Sequence, residues 1–98
     1  MKISRKLEKY LRDEWRLTSK VITYWNVMEW LRRRFHMYLH PLEHEGGWMC
    51  TVMKYPSREW SDMVQSKKCD DYYDALDEGI IKSLEMYKHR EKLAFTAI

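Results

Sequence analysis

Glycine and proline are scarce in this chain, at 3 and 2 residues of 98. That excludes collagen-like and low-complexity classes. No apolar run reaches 18 residues, so no segment is expected to cross a membrane as a helix. The opening stretch, MKISRKLEKYLRDEWR, is too charged to read as a signal peptide. The expectation is therefore a cytoplasmic protein. Cysteine is also sparse. Cys50 and Cys69 are expected to be free thiols in a reducing compartment, and two thiols make no structural zinc site without histidine help.

What is abundant is apolar and aromatic surface. Hydrophobic residues are 45% and aromatics 14%, against a net charge of only +3, which points to one folded domain and not to disorder. The small net charge conceals an asymmetry. Residues 1–34 carry 10 Lys/Arg and 4 Asp/Glu, residues 35–69 carry 4 and 4, and residues 70–98 carry 4 and 7. A basic front and an acidic back can steer an anionic partner, although charged helix faces also serve simply to solvate a helix.

The first helix is expected over about 4–17, with Ser4 as N-cap. Ile3, Leu7, Tyr10, Leu11 and Leu17 share one side. Arg5, Lys9, Arg12 and Arg16 form a basic stripe on the other. A second helix follows Thr23, its N-cap, with Ile22 and Val27 placed as a hydrophobic staple; Thr18 or Ser19 would serve an earlier start. Its apolar residues Trp25, Val27, Met28, Trp30, Leu31 and Phe35 span over half the circumference, so cover is expected on two sides. Arg32, Arg33 and Arg34 suit the negative end of its dipole.

Residues 36–42 and 48–55 read as a β-hairpin across a five-residue connection, Glu43–Gly47. Pairing Leu42 with Trp48 puts Met37, Leu39, Met49, Thr51, Met53 and Tyr55 on the core face. The other face then carries His36, Tyr38, His40, Trp48, Cys50, Val52 and Lys54. Residues 58–65 offer a third strand. Asp70 or Asp71 caps a last helix from about Tyr72 to Lys92, with Tyr73, Leu76, Ile80, Leu84 and Tyr87 as its buried stripe and Glu78–Lys82 as an i,i+4 ion pair. A glycine inside a helix is unfavourable by about 1 kcal/mol relative to alanine, so Gly79 suggests a close approach to its backbone. The expected fold class is α+β: helices on a small antiparallel sheet, in the order α-α-β-β-(β)-α, as a two-layer sandwich. It is one domain, 1–98, with a basic helix at 1–18 appended to a core at 22–92.

Catalytic constellations are thin. His36, His40 and His44 are spaced by four, but Pro41 and the two glycines put them on a strand, about 13 Å apart for the first two, too far to share one metal ion. A His40–Cys50 cross-strand pair is the only nucleophile–base candidate, and no oxyanion loop accompanies it. Asp70, Asp71, Asp74, Asp77 and Glu78 lack an EF-hand spacing and read as charge at a helix N-terminus. No enzyme activity, metal or cofactor is expected.

With a third strand, residues 24–92 run α-β-β-β-α. That order resembles double-stranded-RNA-binding domains and their partial versions in some antitoxins. The resemblance implies phosphate contacts from a lysine-rich start of the final helix. Here that place is held by Cys69-Asp70-Asp71-Tyr72-Tyr73-Asp74, whose carboxylates repel phosphate. A second resemblance rests on Ile22-Thr23 followed by Val27-Met28-Glu29-Trp30-Leu31-Arg32, and on Tyr72-Tyr73-Asp74-Ala75-Leu76-Asp77-Glu78-Gly79-Ile80. These are similar to segments of small proteins from Bacteroides-type gut bacteria and their phages. The likeness covers about 22–88, implies no catalytic residues, and favours a phage or mobile-element protein that binds a host factor.

The expected function is thus non-enzymatic binding of a protein partner. Tryptophan and tyrosine, 5 and 7 in this chain, are enriched at interfaces. Trp25 or Trp30 is expected at or beside a homodimer interface. Arg5, Lys9, Arg12 and Arg16 are expected to stay open to an acidic partner. The alternative is a nucleic-acid-binding module using that basic helix, with Trp15 at its edge for stacking.

Overall fold

A computed structural model describes residues 2–54 and 63–96. The order is α1 (Arg5–Trp15), α2 (Tyr24–Phe35), β1 (Met37–His44), β2 (Gly47–Lys54), β3 (Met63–Gln65) and α3 (Tyr72–Thr96). The sheet is antiparallel, in the order β1-β2-β3. This is an α+β fold. Of the expected third strand, 63–65 pairs with β2, and 58–62 lies outside the described residues, as does Tyr55.

Local chemistry sets the helix ends. Ser4 caps α1 by accepting from the Leu7 N–H at 3.1 Å. Thr23 and Asn26 form a reciprocal capping box on α2. Asp71 caps α3, its carboxylate accepting from the N–H groups of Tyr73 and Asp74. That helix runs four residues beyond the expected end at Lys92. Arg16 and His36 close α1 and α2 in left-handed conformations, at φ 54° and 57°.

One core joins all three helices to the sheet. Leu7 and Leu11 of α1, Val27, Leu31 and Phe35 of α2, Cys50 and Val52 of β2, and Leu76, Ile80 and Leu84 of α3 are buried in it. Ile22 and Val27, the staple pair, both belong to it. So α1 is built into the domain and is not an appendage. The α2 expectation is corrected on one side. Its buried stripe is Tyr24, Val27, Leu31 and Phe35, and Trp15 of α1 covers the Trp30 flank, but Trp25 stays 68% exposed.

The hairpin is shifted by one residue from the expected register. Leu42 opposes Met49, not Trp48, and Pro41 opposes Cys50. The turn is two residues long, Glu45-Gly46, with φ 48° and 77°. Two successive positive φ values are what a tight hairpin turn needs, and glycine meets that need without strain. A one-residue slip turns a whole strand over. Met37 and Leu39 of β1 face the core as expected, but on β2 that face carries Cys50 and Val52, while Met49, Thr51 and Met53 lie on the opposite face, where Thr51 is nonetheless buried. The α3 stripe therefore packs on Cys50 and Val52. Gly79 marks that approach, since a Cβ there would lie 2.9 Å from Cys50 Sγ.

Candidate binding surfaces

The basic stripe of α1 is broken by Arg12. This side chain is half-buried and turned along its own helix end. It donates from Nη2 to the Ser19 and Lys20 carbonyls at 2.8 and 3.4 Å and from Nη1 to Leu17 at 3.3 Å, and its Nε pairs with Glu8 at 3.1 Å. Leu17, Ser19 and Lys20 lie in the connection that follows α1, where carbonyls have no helical partner. Arg12 thus closes the α1–α2 connection. Arg5, Lys9 and Arg16 are exposed, interspersed with Glu8, Asp13 and Glu14.

Trp15 does not lie open beside the stripe. It packs edge-on against Trp30 and Phe35, with centroids 5.9 and 5.4 Å away, and its indole N–H donates to Tyr10 Oη at 3.2 Å. Tyr10 in turn donates to Glu85 at 2.7 Å. The Lys88 ammonium sits 5.0 Å from the Trp15 ring and pairs with Glu14 at 2.9 Å. A base cannot stack on a ring enclosed this way. Trp30 belongs to the same cluster.

Trp25 is different. Its ring stands outside the core, and the Arg32 guanidinium lies 5.8 Å from its centroid, one turn pair along the same face of α2. Glu29 holds Arg32 and Arg33 from the side, the latter at 3.3 Å. Next to Arg32 a small groove of about 90 Å³ runs between α2 and β1, lined by Met28, Arg32 and Met37–His40. It has room for about one apolar side chain. Sequence reasoning reached Trp25 but missed the groove, because only the fold brings Met28 beside Leu39.

A second concavity, about 450 Å³, lies between Lys6, the 67–70 segment and the first turns of α3. Asp77 lines it from below. It is buried, and its carboxylate accepts from the Ser4 hydroxyl and the Tyr24 hydroxyl, each at 2.7 Å. Asp77, read from the sequence as charge at a helix N-terminus, is the pin that fastens the starts of α1 and α2 to α3. Burial, reinforced by the Asp77 carboxylate, pushes the Tyr24 phenol well above its usual range.

Nucleophile chemistry finds little support at either thiol. Both cysteines are free. Burial pushes Cys50 up to about 11, and desolvation followed by the Glu78 charge also raises Cys69. A raised thiol is a poor nucleophile at neutral pH. The expected His40–Cys50 pair is not formed, because the shifted register puts His40 on the outer face and Cys50 on the inner one. Among the described residues, no group of three or more His, Cys, Asp or Glu side chains is placed to hold a metal ion. The expected Glu78–Lys82 pair is replaced by Lys67–Glu78 at 3.6 Å and by Lys82 Nζ donating to the Gln65 carbonyl at 2.8 Å. Among the described residues, no helix is long and apolar enough to cross a membrane.

Comparison with family models, curated proteins and solved structures finds no match to this chain.

Proposed function

We propose that this chain is a non-enzymatic protein-binding module and that Trp25 is the centre of its contact surface. The observation that carries this reading is the 68% exposure of Trp25 while Trp15, Trp30 and Trp48 pack against the core. An exposed indole offers apolar area whose removal from water would favour association. Trp and Arg are also the residues on which binding energy most often concentrates. Arg32 over the ring restricts the indole before binding, which lowers the entropy lost on contact. The groove beside Arg32 would take an apolar side chain of the same partner. The exposed Arg33 and Arg34 favour a partner whose contact surface is acidic.

The reading places the protein in the cytoplasm, where both thiols stay reduced. The likeness to small proteins of gut bacteria and their phages makes a host protein the partner to seek. The nucleic-acid alternative loses support from the structure, since Arg12 and Trp15 are both engaged internally.

The test compares capture from the native cell by the wild-type chain and by Trp25→Ala. Trp25→Ala should keep the same circular dichroism spectrum and melting temperature and lose the captured partner. A partner retained by Trp25→Ala would reject the site. Retention on arbitrary nucleic acid that falls steeply with salt would favour the alternative.

A further inference from the structure

β1 is an edge strand, and the direction of its backbone groups can be read from its neighbours. On β2, Trp48 exchanges hydrogen bonds with Cys69 at 2.7 and 2.8 Å, and the Cys50 carbonyl accepts from Ser66 at 2.8 Å. The backbone groups of Trp48 and Cys50 therefore point away from β1. Their antiparallel partners, Glu43 and Pro41, point away from β2 in turn. By alternation, Met37 and Leu39 do the same. The outer edge of β1 thus offers the N–H groups of Met37, Leu39 and Glu43 and the carbonyls of residues 37, 39, 41 and 43. Pro41 sits at the one kind of strand position that tolerates its missing N–H. Among the described residues, no strand pairs with this edge.

We propose that β1 pairs antiparallel with β1 of a second copy, across a twofold axis at His40, joining two three-stranded sheets into one. Two independent criteria select this register. The first is the backbone. With His40 opposite itself, Met37 and Glu43 exchange both bonds and the Leu39 N–H reaches the Pro41 carbonyl, each twice, about six bonds in all. Moving the axis to Leu39 or Pro41 sets Pro41 against Met37 or against itself and leaves about four. The second is the side chains. Tyr38 and Leu42, both on the outer face, are 38% and 57% exposed. The His40 register sets Tyr38 of each copy against Leu42 of the other, on either side of the axis. In the neighbouring registers each of them meets a histidine.

Charge agrees with this arrangement. The start of β1 is flanked by Arg33, Arg34 and His36, and its end carries Glu43 and Glu45, with His44 between them. Antiparallel self-pairing brings the basic end of one copy to the acidic end of the other, twice. Pro41 blunts the edge toward other strands and in this way restricts pairing to a register that needs no N–H there. The groove of Met28, Arg32 and Met37–His40 borders this edge, so self-pairing and the partner contact centred on Trp25 share that ground.

The experiment is sedimentation equilibrium of the full chain across the micromolar range, with a disulfide readout. The wild type should approach twice 12.2 kDa. Leu42→Glu, with an unchanged circular dichroism spectrum, should sediment as a monomer. In a Cys69→Ser background, His40→Cys should cross-link to itself under mild oxidation, because directly opposed residues at such a site have Cα atoms about 4.5 Å apart, within the range a disulfide spans. Glu45→Cys at the hairpin tip should stay a thiol. A wild-type monomer at the highest attainable concentration overturns the proposal and leaves the Trp25 reading to its own test. A dimer that survives Leu42→Glu, or one in which His40→Cys does not cross-link while Glu45→Cys does, also overturns it. If Leu42→Glu does not fold, the two cysteine variants decide.

Discussion

Gly79 on α3 and Cys50 on β2 touch so closely that no side chain fits between them: a Cβ on Gly79 would stand 2.9 Å from Cys50 Sγ and 3.0 Å from its Cβ. The helix gives up about 1 kcal/mol of propensity for that approach. Gly79→Ala should accordingly destabilise the protein, since forcing a methyl into a filled core costs about 1–3 kcal/mol. Cys50→Ala would remove the nearer atom, Sγ, and keep the Cβ at 3.0 Å, which relieves part of the crowding. The double variant should then be more stable than the sum of the single effects allows, by denaturant titration of all four chains. Additive effects would mean that the contact is not rigid.

The Asp77 pin makes a second expectation. Tyr24→Phe removes one of two hydroxyl donors to a buried carboxylate and leaves the ring in place. Hydrogen bonds to charged groups contribute about 1.5–3 kcal/mol, so the denaturant midpoint should fall accordingly. Ser4→Ala should cost a similar amount, because the same hydroxyl also caps α1. Midpoints unchanged in both variants would show that Asp77 is solvated.

Helix starts were legible because N-caps are local. Ser4, Thr23 and Asp71 announce themselves within three or four residues of sequence. The stripe of α3 was legible because its period is helical. The sheet faces were half legible. β1 alternates apolar and polar residues, so Met37 and Leu39 identify the core side. β2 reads Trp48-Met49-Cys50-Thr51-Val52-Met53, apolar on both faces, so only the turn could fix its register. A tight turn at Glu45-Gly46 requires a glutamate at positive φ, against its preference, and the two glycines suggested a longer loop instead. Arg12, Trp15 and Asp77 were misplaced for a shared reason: each makes contacts beyond its own helical turn, which periodicity does not report.

The register itself can be checked by substitution. Leu76→Ala and Leu84→Ala should each cost about 2–5 kcal/mol, as truncations in a filled core do. Val52→Ala should also lower the denaturant midpoint clearly, since Val52 is 2% exposed against α3. Met53→Ala, on the outer face, should lower it less than Val52→Ala, although methionine loses more atoms. The reverse order would restore the alternative face.

Alkaline pH should expose the buried thiol and phenols in sequence. Cys50 is raised from 9.0 to about 11 in the folded chain, chiefly by burial. The unfolded thiol therefore ionises first. Stability from this group is whole below pH 9 and declines as pH rises from 9 through about 11, with a slope of at most about 1.4 kcal/mol per pH unit. Tyr10 and Tyr24 are raised as well, so their losses begin above 10 and add to the first. Urea midpoints measured from pH 7 to 11 should be level to about pH 9 and then fall. In a Cys69→Ser background, which removes the other raised thiol, Cys50→Ala should have a lower midpoint throughout but delay the onset of that fall by about one pH unit, to where the phenols begin to ionise. An unchanged onset in Cys50→Ala would show that the thiol is hydrated in the folded protein and that α3 does not seal against β2 at Gly79.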